Sequence, residues 1–227
     1  MRKIIIFIIM FFMFLLSSCN NKNIDYYKDN VNSIVELKCE YGDNDSYGTA
    51  VCVNKDGYLI TNAHVVTFVK AGERITFDSY KIRYSFDEEY VEVLLITYDQ
   101  ELDLALLKTD DSNYIPISFG KIDEVKIGDI AYSLGNSQNQ GLSLAKGIIS
   151  KTRVNIVISN RTATVIASDA YIAEGNSGGA LINEKNQLIG ITSFRLKDDF
   201  GNTIYGMGYS IPIDIVDGFI QASLNKL

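Results

Sequence analysis

From residue 31 onward the chain breaks into short runs rich in β-branched and aromatic residues, each closed by a cluster of Gly, Asn or Asp. No other feature constrains the fold as much, because runs of this length and spacing suit strands of antiparallel sheets and leave little room for helices. The runs fall at 31–39, 49–53, 58–61, 74–77, 90–98 and 104–107, then at 127–134, 143–149, 154–158, 162–167, 179–182, 187–194 and 204–211. A polar stretch, Thr109-Asp110-Asp111-Ser112-Asn113, opens a linker near 109–124 that separates the two sets. About six strands on each side predict an all-β chain of two antiparallel six-stranded barrels, about 31–108 and 125–211. One helix is expected at the end, over 213–225. There Ile213, Val216, Phe219 or Ile220, and Leu224 share a face behind Pro212.

Three segments carry chemistry. His64, the only histidine of the chain, lies in Leu59-Ile60-Thr61-Asn62-Ala63-His64-Val65-Val66. Asp103 lies in Leu102-Asp103-Leu104-Ala105-Leu106-Leu107, and Ser177 in Gly175-Asn176-Ser177-Gly178-Gly179. Each has an ordinary reading when taken singly: a packed core histidine, a strand-end cap and a tight turn. Together they are the parts of an activated nucleophile. A serine hydroxyl attacks poorly until an imidazole takes its proton, and a carboxylate fixes the tautomer of that imidazole and stabilises its charged form. Two barrels would place His64 and Asp103 on one wall of a cleft and Ser177 on the other. A tetrahedral oxyanion at Ser177 needs donors, which the N–H groups of Gly175 and Ser177 can supply, with Asn176 as a further candidate.

The three segments resemble the trypsin-like serine proteases, and among them the HtrA/Deg branch, which carries TNAHV, DLAxL and GNSGG at these places. Gly48-Thr49-Ala50, Asp56-Gly57-Tyr58, Val125-Lys126-Ile127-Gly128-Asp129, Ser133-Leu134-Gly135-Asn136, Lys146-Gly147-Ile148-Ile149-Ser150, Leu188-Ile189-Gly190-Ile191 and Tyr209-Ser210-Ile211-Pro212 extend the similarity. It runs from about residue 33 to 222 and implies one protease domain, 31–227, with no PDZ domain appended. It also implies a serine endopeptidase acting on extended or unfolded polypeptides. Digestive relatives have an acid where this chain has Asn176, so activation through a new N-terminal ammonium is not expected. Loop ordering at 135–141 and 197–202 is the expected substitute.

By the same resemblance, Ser193 supports the acid, Phe194 walls the substrate groove, and Ile172, Thr192 and Arg195 help line the specificity pocket. No acid stands at the nearby Tyr171, so cleavage after Lys or Arg is not expected. Small or medium aliphatic residues are the first expectation. Arg195 offers an acidic preference as the alternative, since a guanidinium can grip a carboxylate in two places; glutamyl endopeptidases, which the surrounding segments also resemble, have a histidine where Thr192 stands. A catalytically silent protease-fold lipoprotein that binds a partner through its cleft is the competing function. The order His, acid, Ser argues against an α/β-hydrolase, where the serine comes first.

Residues 1–18 read as a secretory signal. Arg2 and Lys3 precede an apolar run of 13 residues from Ile4 to Leu16, which is too short to span a bilayer. Leu16-Ser17-Ser18-Cys19 resembles a bacterial lipobox, so Cys19 is the expected lipidated residue, followed by a tether over 19–30. The expected place is the bacterial envelope, outside the cytoplasm and anchored to the membrane. The net charge of −7 becomes −9 when Arg2 and Lys3 are removed, which argues against a nucleic-acid partner. With one histidine and no CxxC or HExxH, no metal and no cofactor is expected. Cys39 and Cys52 are read as two buried free thiols, with a disulfide as the alternative.

Overall fold

Strand β1 (Ile34–Tyr41) turns back into β2 (Asn44–Cys52), and β3 (Tyr58–Thr61) leads to a single helical turn, α1 (Ala63–Val66). A two-stranded ribbon follows, β4 (Thr67–Lys70) with β5 (Glu73–Thr76), and then β6 (Ser79–Arg83), β7 (Val91–Asp99) and β8 (Leu104–Lys108). These belong to a computed structural model that describes residues 25–84, 87–110, 114–158, 161–196, 202–204 and 206–227. The expected signal segment and Cys19 lie outside the described residues, as does most of the expected loop at 197–202.

Six strands close an antiparallel barrel in the order β1-β2-β3-β8-β7-β6, with the β4–β5 ribbon outside it. The run at 74–77 is therefore not a barrel strand. Its place is taken by β6, whose sequence Ser-Tyr-Lys-Ile-Arg buries only Tyr80 and Ile82 and so gives a weak alternating signal. The later strands are β9 (Ile130–Asn136), β10 (Leu142–Ile158), β11 (Arg161–Ser168), β12 (Ala180–Asn183), β13 (Leu188–Phe194) and β14 (Gly208–Pro212). They close in the order β10-β11-β14-β13-β12-β9. The runs at 143–149 and 154–158 form one strand. Its pairing with β11 shifts register between Ile149 and Val154, a local irregularity at which Arg153 takes a left-handed φ of 46°.

Alternation explains the burial. Val35, Leu37, Cys39, Cys52, Leu59, Ile82, Ala105 and Leu107 pack together inside the first barrel. Their neighbours Ile34, Val51, Ile60, Leu104 and Leu106 face the other way, into a cluster shared with second-half residues such as Leu134, Ile166, Leu181 and Ile191. Leu104-Ala105-Leu106-Leu107 is continuously apolar because both faces of β8 are covered. The linker is tied to the first barrel: Ile117 N–H donates to Cys52 O at 3.0 Å and Thr109 N–H to Gly57 O at 2.9 Å.

The final helix, α2 (Ile213–Leu224), buries Ile213, Val216, Phe219 and Ile220. Among the described residues no helix is long and apolar enough to cross a membrane. Cys39 and Cys52 are both buried and unpaired. Burial pushes both thiols up, Cys52 to about 12, so neither is a nucleophile at neutral pH.

Candidate active site

His64 occupies the one-turn helix α1, directly after β3, and Asp103 the turn that leads into β8. Strands β3 and β8 pair directly, with Thr61 opposite Ala105, so the end of one strand meets the start of the other. Asp103 has a φ of 56°, an uncommon value for a residue other than glycine, which marks a conformation imposed by its surroundings. Its carboxylate accepts from His64 N at 3.0 Å and lies 2.9 and 3.0 Å from His64 Nδ1. Ser193 Oγ donates to the same carboxylate at 2.7 Å.

Asp103 is 6% exposed. Burial by itself pushes the carboxyl up, but the bonds and charge of His64, with the Ser193 hydroxyl, outweigh it and hold the group below the usual carboxylate range. An ionised Asp103 facing Nδ1 keeps the proton on that nitrogen and leaves Nε2 as the basic face of the ring.

Ser177 shares a cleft of about 490 Å3 with His64. Its hydroxyl donates to the Ser193 carbonyl at 2.9 Å, not to the imidazole. Around it the chain makes a tight turn. Gly175 and Gly178 have φ values of 91° and 84°, open to glycine at little cost. A Cβ on Gly175 would collide with the Asn136 carbonyl oxygen, and one on Gly178 with that of Thr49.

Among the described residues, neither the Gly175 nor the Ser177 N–H has a backbone acceptor. The Asn176 N–H differs, since it donates to Ala173 O at 3.1 Å, and the residue is 2% exposed. Of the three candidate donors, the Asn176 N–H is thus the one already bonded to a main-chain carbonyl.

The expected pocket residues divide. Ile172, Ser193, Phe194 and Arg195 line the cleft. Ile172 packs on Gly208, where a Cβ would approach it within 2.5 Å, so it brings an apolar side chain to the cleft wall. Phe194 stacks on Tyr209 with ring centroids 5.3 Å apart, and the Arg195 guanidinium lies 5.8 Å from the Tyr171 ring centre. Thr192 departs from expectation. It is fully buried, its hydroxyl donates to the Asn176 carbonyl at 2.5 Å, and it is not among the residues that line this cleft.

A family model described as a trypsin-like peptidase domain matches residues 48–191, a span that contains His64, Asp103 and Ser177. The chain belongs to the trypsin-like peptidase family. Within that family it is similar to HtrA-type and Deg serine endoproteases. It is 32% identical over 175 residues to the serine endoprotease DegS of Haemophilus influenzae, covering 77% of this chain and 49% of that protein. It is 34% identical over 174 residues to DegS of Escherichia coli strain K12, covering 74% and 45%. The chain thus spans about half the length of the curated relatives it matches. Among solved structures, the HtrA-type protease AlgW with a tripeptide superposes with a TM-score of 0.75 at 31% identity, over 87% of this chain and 62% of that one. A serine endoprotease from Yersinia pestis gives 0.71 at 27% identity, over 88% and 65%.

Two contacts of this trypsin-like peptidase escaped the sequence reading. Arg161, at the start of β11, reaches the first barrel and donates to the Gln100 and Glu101 carbonyls at 2.7 Å each, 4.0 Å from the Asp103 carboxylate. Gln138 N–H donates to Glu174 O at 2.7 Å from a turn in which Gln138 and Asn139 are both left-handed. Neither residue stands in a motif, and only the closure of the strands brings them to the site.

Proposed function

We propose that this chain is a serine endopeptidase that hydrolyses peptide bonds of extended or unfolded polypeptides. The observation that carries the reading is the ionised, buried Asp103 bonded to His64 Nδ1 beside a cleft that also holds Ser177. The Ser177 hydroxyl leaves the Ser193 carbonyl, gives its proton to His64 Nε2 and attacks the scissile carbonyl. Gly175 and Ser177 N–H groups receive the negative oxygen, and His64 then protonates the leaving amine. Water repeats the sequence on the acyl-enzyme. The Ser193 carbonyl, once freed, becomes an acceptor for an N–H of the bound chain, as strand-like docking requires. The apolar Ile172 in the cleft wall supports a small or medium aliphatic residue before the cleaved bond.

The test uses the full chain and a reduced, alkylated protein as substrate, with the cleaved bonds mapped by mass spectrometry. Wild type should cut and should be labelled at Ser177 by a fluorophosphonate, and Ser177→Ala should do neither. Labelling and cleavage both absent from the wild type would favour the silent, partner-binding alternative.

The envelope placement rests on Leu16-Ser17-Ser18-Cys19. Cys19→Ala should leave the membrane fraction or persist as a longer precursor. Unchanged fractionation and mobility would refute lipidation.

A further inference from the structure

We infer that Thr49 is the positioning residue that sets the oxyanion donors, an inference that rests on the endopeptidase reading of the same site. In a trans peptide the N–H points opposite the carbonyl that precedes it. The direction of a donor at residue i is therefore fixed when the carbonyls of residues i−1 and i are both held. For Gly175 the first carbonyl, Glu174 O, accepts from Gln138 N–H at 2.7 Å. For Ser177 the first, Asn176 O, accepts from Gly179 N–H at 2.9 Å and Thr192 Oγ1 at 2.5 Å.

Thr49 supplies the second anchor for both. Its hydroxyl donates to Gly175 O at 2.8 Å, and its N–H donates to Ser177 O at 2.9 Å. The hydroxyl proton has one direction available, because Asn136 N–H donates to the same oxygen at 2.8 Å. Thr49 is itself fixed, since Thr61 Oγ1 donates to its carbonyl at 2.7 Å and the residue is fully buried. One residue of the first barrel thus holds the serine turn of the second, by its side chain at Gly175 and its main chain at Ser177. This matters most at Gly175, whose φ of 91° lies where glycine rotates freely. Without the hydroxyl the 175–176 peptide has no partner on this side, and the Gly175 N–H loses its aim.

The experiment compares Thr49→Val, which keeps the shape and removes the hydroxyl, with Thr49→Ser, which keeps the hydroxyl. Full removal of one oxyanion donor costs about 100- to 1000-fold in kcat. Loosening one should lower kcat about 10- to 100-fold. KM for a peptide substrate should change less than about threefold, and Thr49→Ser should recover most of the rate. A peptide boronate, which forms the tetrahedral adduct, should lose affinity for Thr49→Val in step with kcat. Thr49→Ala replaces Thr49→Val if the latter does not melt cooperatively. Wild-type kcat in a folded hydroxyl-free variant overturns the inference and leaves the protease reading intact, as does a loss confined to KM. A wild-type chain that neither cleaves nor takes the fluorophosphonate overturns the protease reading, and this inference with it.

Discussion

Replacing Ser193 with alanine removes one hydroxyl and leaves its backbone carbonyl in place for Ser177. The Asp103 carboxylate then loses its shortest contact, 2.7 Å from Ser193 Oγ, and keeps His64 N at 3.0 Å and Nδ1 at 2.9 Å. A hydrogen bond to a charged group is worth about 1.5–3 kcal/mol. Water cannot readily replace it, because Asp103 is 6% exposed. Arg161, 4.0 Å away, recovers part by charge attraction. The expected loss is about 2 kcal/mol at neutral pH, or about 4–8 °C in Tm for a domain of this size.

The sign of the pH dependence follows from the depressed Asp103 carboxyl. A group lowered in the folded state stabilises above its unfolded value, about 3.9, and the stabilisation is lost as pH falls through the folded value. The gap between wild type and Ser193→Ala should be full at pH 7 and shrink below about pH 4. Urea unfolding followed by circular dichroism or tyrosine fluorescence measures it, since the chain has 14 Tyr and no Trp. Equal losses at pH 7 and pH 3 would mean that the hydroxyl acts through volume and not through the carboxylate. No loss at pH 7 would refute the bond altogether.

Glu36 is fully buried and pairs with Arg83 at 2.9 Å while accepting from Asn136 Nδ2 at 3.2 Å; Glu36→Gln should cost about 3 kcal/mol in urea unfolding, and a cost below about 1 kcal/mol would show that the pair is dispensable. The Glu40 carboxyl is held down to about 2 by Lys38 first, then Lys81 and Ser79. Its partial exposure limits the contribution to about 1 kcal/mol, present above the ordinary carboxylate range and lost toward pH 2, so Glu40→Gln should differ from wild type at pH 7 and converge with it near pH 2. Gly175→Ala forces a Cβ against Asn136 O at a φ of 91° and should lower kcat about 100-fold or more; kcat within threefold of wild type would remove Gly175 from the donor pair.

Local sequence determined what depends on neighbours along the chain. Alternation in Val35-Glu36-Leu37 and the both-faces-apolar Leu104–Leu107 already required strands in those positions, and the spacing of Ile213, Val216 and Phe219 required a helix after Pro212. The single histidine and the glycines around Ser177 announced chemistry because their alternatives cost so much: only glycine rests easily at φ near 90°. Tertiary structure decided whatever depends on which strands meet. Ser-Tyr-Lys-Ile-Arg became a barrel strand because β1 and β7 flank it, while the better-looking run at 74–77 was left to a ribbon. Thr192 turned inward to Asn176 because β13 lies behind the serine turn. Arg161, 58 residues from Asp103 in sequence, came within 4.0 Å of its carboxylate, and Thr49 came to hold Gly175 and Ser177 more than 120 residues away. A side chain's facing follows from its own strand, but its partner follows from barrel closure, and hydrogen bonds of about 3 Å leave no tolerance for a register that local pattern does not specify.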